Sequence, residues 1–251
     1  MGDGEVRIDH EGDIAIFRAD RPPVNAINLP FLRRIDQAFR ELLPEVGVRA
    51  VVVTGREGSF CAGLDLKAVP TYGPDEQREM VLTITRVIAA IYGARLPVVA
   101  AVNGHAITGG LCLALACDYR VGPKADAQFG LTEARAGIPF PFGPMTVVES
   151  ELSPPVARRL ALLAKNCGPE EALVLGILDE LQPRERVLGR ALEVAQELAS
   201  FPGDAYGRIK HQLRARPLAR ICEMVERGTD PLLDSWLAVG AAEASAHLLH
   251  R

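Results

Sequence analysis

Long hydrophobic runs are missing from this 251-residue chain. No apolar stretch approaches the ~20 residues that a membrane-spanning helix requires, so no membrane association is expected. Residues Met1 to Asp13 carry acids and glycines where a secretory signal would be apolar, so secretion is not expected either. The chain also lacks any Cys-x-x-Cys or His pair at ligand spacing, which argues against a metal site. Its five cysteines (Cys61, Cys112, Cys117, Cys167, Cys222) are odd in number and lie in or beside apolar stretches. Reduced thiols and a cytoplasmic setting fit that pattern. Basic residues form no stripe and the net charge is −4, so no nucleic-acid partner is expected. Repeats of fixed period, linkers and low-complexity tracts are absent.

Hydrophobic residues make up 48% of the chain, ample for a core. Residues 6–10 and 13–18 alternate apolar and polar around Glu11-Gly12, a hairpin pattern. Asn28 and Pro30 open a helix whose Phe31, Leu32, Ile35, Phe39, Leu42 and Leu43 recur at helical spacing. Arg49–Thr54 reads as a buried strand, followed by a glycine-punctuated loop from Gly55 to Gly63. A helix is predicted over Pro74–Tyr92, then a buried strand over Pro97–Val102. Short strands are expected at 118–121 and 127–129, with Glu133 in the loop beyond them. After the breaker-rich stretch Gly137–Pro144 the pattern is helical throughout: near 144–151, 154–164, 169–175, 184–200 and 203–214, with two further helices to the C-terminus. Repeated strand–strand–helix units followed by a helical tail therefore define an α/β chain.

Two glycine-bearing loops follow buried strands. One is Ser59–Lys67; the other is Gly104–Gly110, which leads into the apolar helix beginning at Gly109-Gly110. Glycines at a helix start let unpaired backbone N–H groups approach a bound group, at the positive end of the helix dipole. Two such loops on neighbouring strands can aim one N–H each at a shared oxygen, and losing one such donor costs about 3 kcal/mol. Tight turns with glycine for sterics remain the alternative. Other glycine motifs fail on detail. The Gly104–Gly110 spacing lacks the Lys and Ser/Thr of a phosphate-binding P-loop, no early G-x-G-x-x-G marks a dinucleotide site, and no G-x-S-x-G elbow marks a serine hydrolase.

Five stretches together resemble, in order and spacing, the crotonase (enoyl-CoA hydratase/isomerase) superfamily. They are Arg21-Pro22…Asn25-Ala26-Ile27-Asn28, Phe60–Leu66, Ala100–Gly104…Gly109-Gly110, Ala116–Arg120 and Gln128–Glu133. Glu171-Ala172…Gly176–Glu180 and Lys210 look like later blocks of that family. The resemblance implies a spiral of ββα units (residues 1–195) and a C-terminal α-helical region (196–251) serving oligomerisation and active-site cover. It implies an acyl-CoA substrate, no cofactor beyond the coenzyme A of that substrate, and a homotrimer or dimer of trimers. By position, the amides of Leu64 and Gly109 would hold the thioester oxygen. Ala62, Asp65, Leu66, Lys67, Arg21 and Thr108 would contact substrate, with Arg21 and Lys67 toward the phosphates unless they are simply solvated charges.

The departure is at Cys112. Family hydratases carry a glutamate there and a second one at the position of Glu133; only Glu133 is present. Adding water needs one group to activate water and another to manage the proton delivered to carbon, whereas moving a double bond needs one base beside a held enolate. A lone Glu133 thus fits isomerisation, with hydration close behind. Cys112 is open to three readings: a small buried residue, a thiol activated by the helix start, or the mark of a non-catalytic acyl-CoA-binding or assembly subunit. Thioester hydrolysis and decarboxylation also remain open. His105, between the loops, reads as a core or interface imidazole, and His247 and His250 as surface residues. Phe140 or Phe142 is expected to narrow the acyl pocket.

Overall fold

The computed structural model describes residues 2–238. Four strand–strand–helix units follow one another. They are β1 (Glu5–Glu11), β2 (Ile14–Asp20) and α1 (Leu29–Leu42); β3 (Ala50–Thr54), β4 (Gly58–Cys61) and α2 (Pro74–Tyr92); β5 (Val98–Ala101), β6 (Gly104–Ile107) and α3 (Gly109–Ala116); and β7 (Tyr119–Pro123), β8 (Phe129–Gly130) and α4 (Glu133–Ala136). A helical region comprises α5 (Phe142–Glu151), α6 (Pro154–Leu162), α7 (Pro169–Val174), α8 (Val187–Ala199), α9 (Gly203–Arg227) and α10 (Leu233–Ala238), with the strand β9 (Glu180–Gln182) inside it. This is an α/β spiral of ββα units with a helical C-terminal part, as the resemblance implies.

The strands sort into a six-stranded sheet, β1-β2-β3-β5-β7-β9, and a three-stranded sheet, β4-β6-β8. Only the β1–β2 hairpin is antiparallel in the first, and the second is wholly parallel. The large sheet is covered on both faces, which is why its strands read as unbroken apolar runs. Ile14, Ile16, Val52, Val99 and Val121 meet α8, while Ala15, Phe17, Val51, Val53 and Val98 belong to the main core with α1 and α2. Asn28 caps α1 by accepting from the Phe31 N–H at 2.9 Å, and Phe39 stacks on Phe17 with ring centroids 4.1 Å apart.

Three expectations from sequence are corrected. The stretches read as loops at 55–63 and 104–110 contain β4 and β6, which pair with each other and with β8 rather than with sequence neighbours. They are short and contain glycine, so they carry no local strand pattern. The region after Pro144 is not wholly helical, because the polar segment Glu180–Gln182 extends the large sheet beside β7. The helix from Gly203 does not stop at 214 but continues through Pro217 to Arg227. The last expected helix, with His247 and His250, lies outside the described residues. No described helix is long and apolar enough to cross a membrane.

A buried ionic cluster docks α9 on the spiral. Asp118, just before β7, receives Lys210 Nζ and Arg214 Nη1, each at 2.8 Å, as well as the Tyr206 hydroxyl and the Val98 N–H. Arg214 also lies 4.1 Å over the Tyr92 ring. Held on either side of Pro217 by Arg214 and the fully buried Ile221, the helix tolerates the missing proline donor. Asp118→Ala is expected to cost about 3–5 kcal/mol by leaving the buried Lys210 without a counter-charge and Arg214 with only the more distant Glu151. Arg33→Ala, which breaks an exposed pair with Glu79, is expected to cost less than about 1 kcal/mol. Urea denaturation of both variants checks this; equal losses would contradict it.

Candidate active site

The loop after β4 is held by a parallel bridge to the segment before α1. Ile27 N–H donates to Gly63 O at 2.7 Å and Asp65 N–H donates to Ile27 O at 2.8 Å. In such a bridge the residue between, Leu64, turns its own N–H away. That amide has no acceptor among the described residues. Beneath the loop, Arg21 Nη2 meets Asp65 Oδ2 at 2.8 Å with both side chains buried, and Asp65 Oδ1 accepts the amides of Lys67 and Ala68. Arg21 and Asp65, expected along the substrate path, are therefore corrected to internal struts of the loop. Lys67 is exposed, with no ion-pair partner among the described residues.

The second loop runs from β6 into α3. Thr108 N–H donates to Gly130 O at 2.7 Å, and Thr108 holds φ +52° and ψ −123°, a strained conformation for a β-branched residue. The next amide, Gly109, opens α3 and so has no intrahelical acceptor. The loops touch through two glycines. Gly63, at φ +82°, faces Thr108 so closely that an added Cβ would sit 1.5 Å from its Oγ1; at Gly110 it would sit 2.1 Å from Cys61 O. Gly109 differs: a Cβ there would meet nothing nearer than Gly63 Cα at 4.0 Å. Packing explains the first two glycines and leaves the space at Gly109 for a ligand.

A cavity of about 900 Å³, including its open mouth, lies in front of both amides. Ala62, Leu64, Leu66, Thr108, Gly109, Cys112 and Glu133 all line it, whereas Arg21, Asp65 and Lys67 do not. Its remaining wall is apolar, with Ile84, Val87 and Ile88 of α2 and the turn Ile138–Pro141 prominent. Glu133 sits in the first turn of α4, and its Oε2 is buried with no hydrogen-bond partner. Burial raises the Glu133 carboxyl to about 8, against a smaller lowering by its own backbone N–H. A carboxyl poised near neutral pH, facing an apolar cavity, is suited to taking and returning a proton.

Cys112 does not behave as an activated thiol. It is fully buried, and desolvation first, then the charges of Glu133 and Cys61, push its thiol well above the usual range. Of the three readings left open for Cys112, burial speaks against the activated thiol because it outweighs the helix start, and the side chain is a small buried residue. His105 also stands apart: its Nδ1 accepts from the Gln128 N–H at 3.1 Å and it does not line the cavity. Of the two phenylalanines, Phe140 lines the cavity; Phe142 begins α5 and lies under Arg220. Sequence reasoning missed Trp236 of α10, which is 2% exposed, lines the cavity and donates its Nε1–H to Pro139 O at 2.8 Å. No local pattern marks it beyond its being the one tryptophan of the chain. Among the described residues no cluster of three His, Cys, Asp or Glu side chains offers a metal site.

A ββα spiral with two unpaired amides and one carboxyl on an apolar cavity defines a class of enzyme. Residues 9–225 match the family model described as enoyl-CoA hydratase/isomerase. The human mitochondrial enoyl-CoA delta isomerase 1 is 30% identical over 218 residues, spanning 86% of this chain and 72% of that protein. A short-chain-enoyl-CoA hydratase of Clostridium acetobutylicum is 30% identical over 197 residues, 78% of this chain and 75% of that one. Among solved structures, human mitochondrial delta3-delta2-enoyl-CoA isomerase superposes with a TM-score of 0.87 at 27% identity, covering 98% of this chain and 95% of that one. An enoyl-CoA hydratase from Mycobacterium marinum gives 0.82 at 28%, covering 92% and 98%. The chain belongs to the crotonase superfamily and is an enzyme of the enoyl-CoA hydratase/isomerase type.

Glu133 makes stability depend on pH. Its carboxyl is raised above the unfolded value, so its stabilising contribution is complete in acid and is lost as pH rises through about 8. Glu133→Gln is therefore expected to gain stability over the parent at pH 9 and not at pH 4; thermal melts at both pH values test this, and parallel curves would contradict it. Gly110→Ala is expected to destabilise by about 1–3 kcal/mol through its clash with Cys61 O. Gly109→Ala should leave the melting temperature unchanged or raised, because alanine favours the helix and meets open space. Equal destabilisation of the two variants would contradict the distinction.

Proposed function

We propose that this protein is an enoyl-CoA isomerase that moves a double bond between carbons 3 and 2 of an acyl-CoA thioester. The amides of Leu64 and Gly109 receive the thioester oxygen as it gains charge. Glu133 removes a proton from carbon 2, giving a dienolate, and returns it to carbon 4. Donors that are already oriented stabilise such an oxyanion without reorganising at the moment of reaction. The single observation that carries this reading is the buried, unpartnered Glu133 Oε2 as the only carboxyl lining the cavity among the described residues. Hydration calls for a second acid–base group to manage water, and the place where a second carboxyl would sit is taken by the buried, protonated Cys112 thiol.

Lys67, exposed beside the Ala62–Lys67 loop, is the candidate contact for the coenzyme A phosphates, and the substrate brings the only cofactor moiety the reaction uses. A cytoplasmic trimer or dimer of trimers belongs to the same proposal. It gives cover to exposed apolar side chains such as Leu162, Val174 and Leu213.

Purified protein should convert 3-enoyl-CoA to 2-enoyl-CoA much faster than it hydrates 2-enoyl-CoA. Glu133→Gln should lower the isomerase rate by about 10²–10⁴. In the parent, kcat/KM should rise as pH increases through about 8, since the free carboxylate is the base. Faster hydration than isomerisation, or full activity in Glu133→Gln, would overturn the proposal. Tight binding of acyl-CoA with no turnover would support a binding subunit instead.

A further inference from the structure

We infer that Trp236 is a specificity-determining residue that sets the acyl chain length the cavity accepts, and that the group it measures is a plain hydrocarbon chain. The inference rests on the acyl-CoA reading above and deepens it. Trp236 reaches the cavity from α10, some 100 residues beyond Glu133 in sequence, and it is 2% exposed. Its indole Nε1–H is tied to the Pro139 carbonyl, so the ring is fixed against the Ile138–Pro141 turn that forms the adjoining wall. A tryptophan whose N–H has a partner presents a rigid apolar face to whatever it borders.

The segment that carries the ring is anchored independently. Asp230, buried, accepts the Phe142 N–H at 2.7 Å on one carboxylate oxygen and the Leu232 N–H at 2.9 Å on the other. Leu233, 3% exposed, adds apolar contact to the main core. The two links, Asp230 to Phe142 and Trp236 to Pro139, close the C-terminal segment over both ends of one short turn. The cavity that Trp236 lines is also bordered by Ile84, Val87, Ile88 and Phe140. Among the described residues, beyond Glu133, the lining side chains bring only the hydroxyls of Thr108 and Thr132, the Cys112 thiol and the Trp236 Nε1–H, which is already tied to the Pro139 carbonyl. A second carboxylate or a charged group on the acyl chain would therefore be buried without a partner, which strongly disfavours it.

The experiment compares Trp236→Ala, Trp236→Leu and Trp236→Phe with the parent. Isomerase kcat/KM is measured for unbranched 3-enoyl-CoA thioesters of four to fourteen carbons, and calorimetry follows binding of the corresponding saturated acyl-CoA. The parent should show a length beyond which kcat/KM falls. In Trp236→Ala the ratio of long-chain to short-chain kcat/KM should rise about tenfold or more, the scale at which methylenes are discriminated in an apolar pocket. Trp236→Phe should keep most of the parent's profile, and Trp236→Leu decides the matter should the alanine variant fail to fold. A purely structural tryptophan would lower all chain lengths alike; an unchanged ratio in both Trp236→Ala and Trp236→Leu overturns the inference. A shifted binding profile without isomerisation would support the role of Trp236 and remove the isomerase reading, so the two failures are distinguishable.

Discussion

Two main-chain amides can face one oxygen only if the loops bearing them are held in fixed register. Here the two loops are held together by the close approach of glycine backbone to the facing loop. Gly63 closes on Thr108 and Gly110 closes on Cys61, each at a distance that no side chain at the glycine could survive. The parallel pairing of β4 with β6 brings the two loops side by side, and the Arg21–Asp65 pair stiffens the first from beneath. Strain at Thr108 belongs to the same device, because its ψ sets the plane of the peptide that carries the Gly109 N–H. The cavity, the carboxyl and the tryptophan are arranged around this junction.

Glu133 and Cys112 then divide the chemistry. Both are desolvated beside the same cavity, and burial raises both groups, yet the outcomes differ. A carboxyl starting in the acid range is lifted to about 8, where it can exchange protons at neutral pH. A thiol starting higher is lifted out of use. One environment thus leaves a single working acid–base group, which suits a reaction whose proton leaves one carbon and arrives at another nearby.

Helices and central strands were legible in the sequence because their signals are local. Asn28 with Pro30 marks the start of α1, the apolar spacing through Ile91 marks α2, and the runs at Val51–Val53 and Val98–Val102 reflect sheet strands buried on both faces. The short strands β4, β6 and β9 were not legible. Their stability comes from partners far along the chain, and Glu180–Gln182 is polar because it lies at the sheet edge. At the site, Leu64, Gly109 and Glu133 were placed by the resemblance of their motifs to a known family, and the cavity gathers all three. Arg21 and Asp65 were misassigned because a charge in sequence does not reveal that its counter-charge waits 44 residues away. Trp236 was invisible for the same reason: its partner is a carbonyl 97 residues earlier.

In the proposed reaction the Leu64 and Gly109 amides stabilise a thioester enolate while Glu133 moves its proton. Exchange of the carbon-2 hydrogens of a saturated acyl-CoA in deuterated water reads that step alone, since such a thioester cannot isomerise or take up water. The account predicts enzyme-dependent deuterium incorporation at carbon 2 that disappears in Glu133→Gln while the thioester still binds. Incorporation that persists in Glu133→Gln, or its absence in the parent enzyme despite binding, would contradict it.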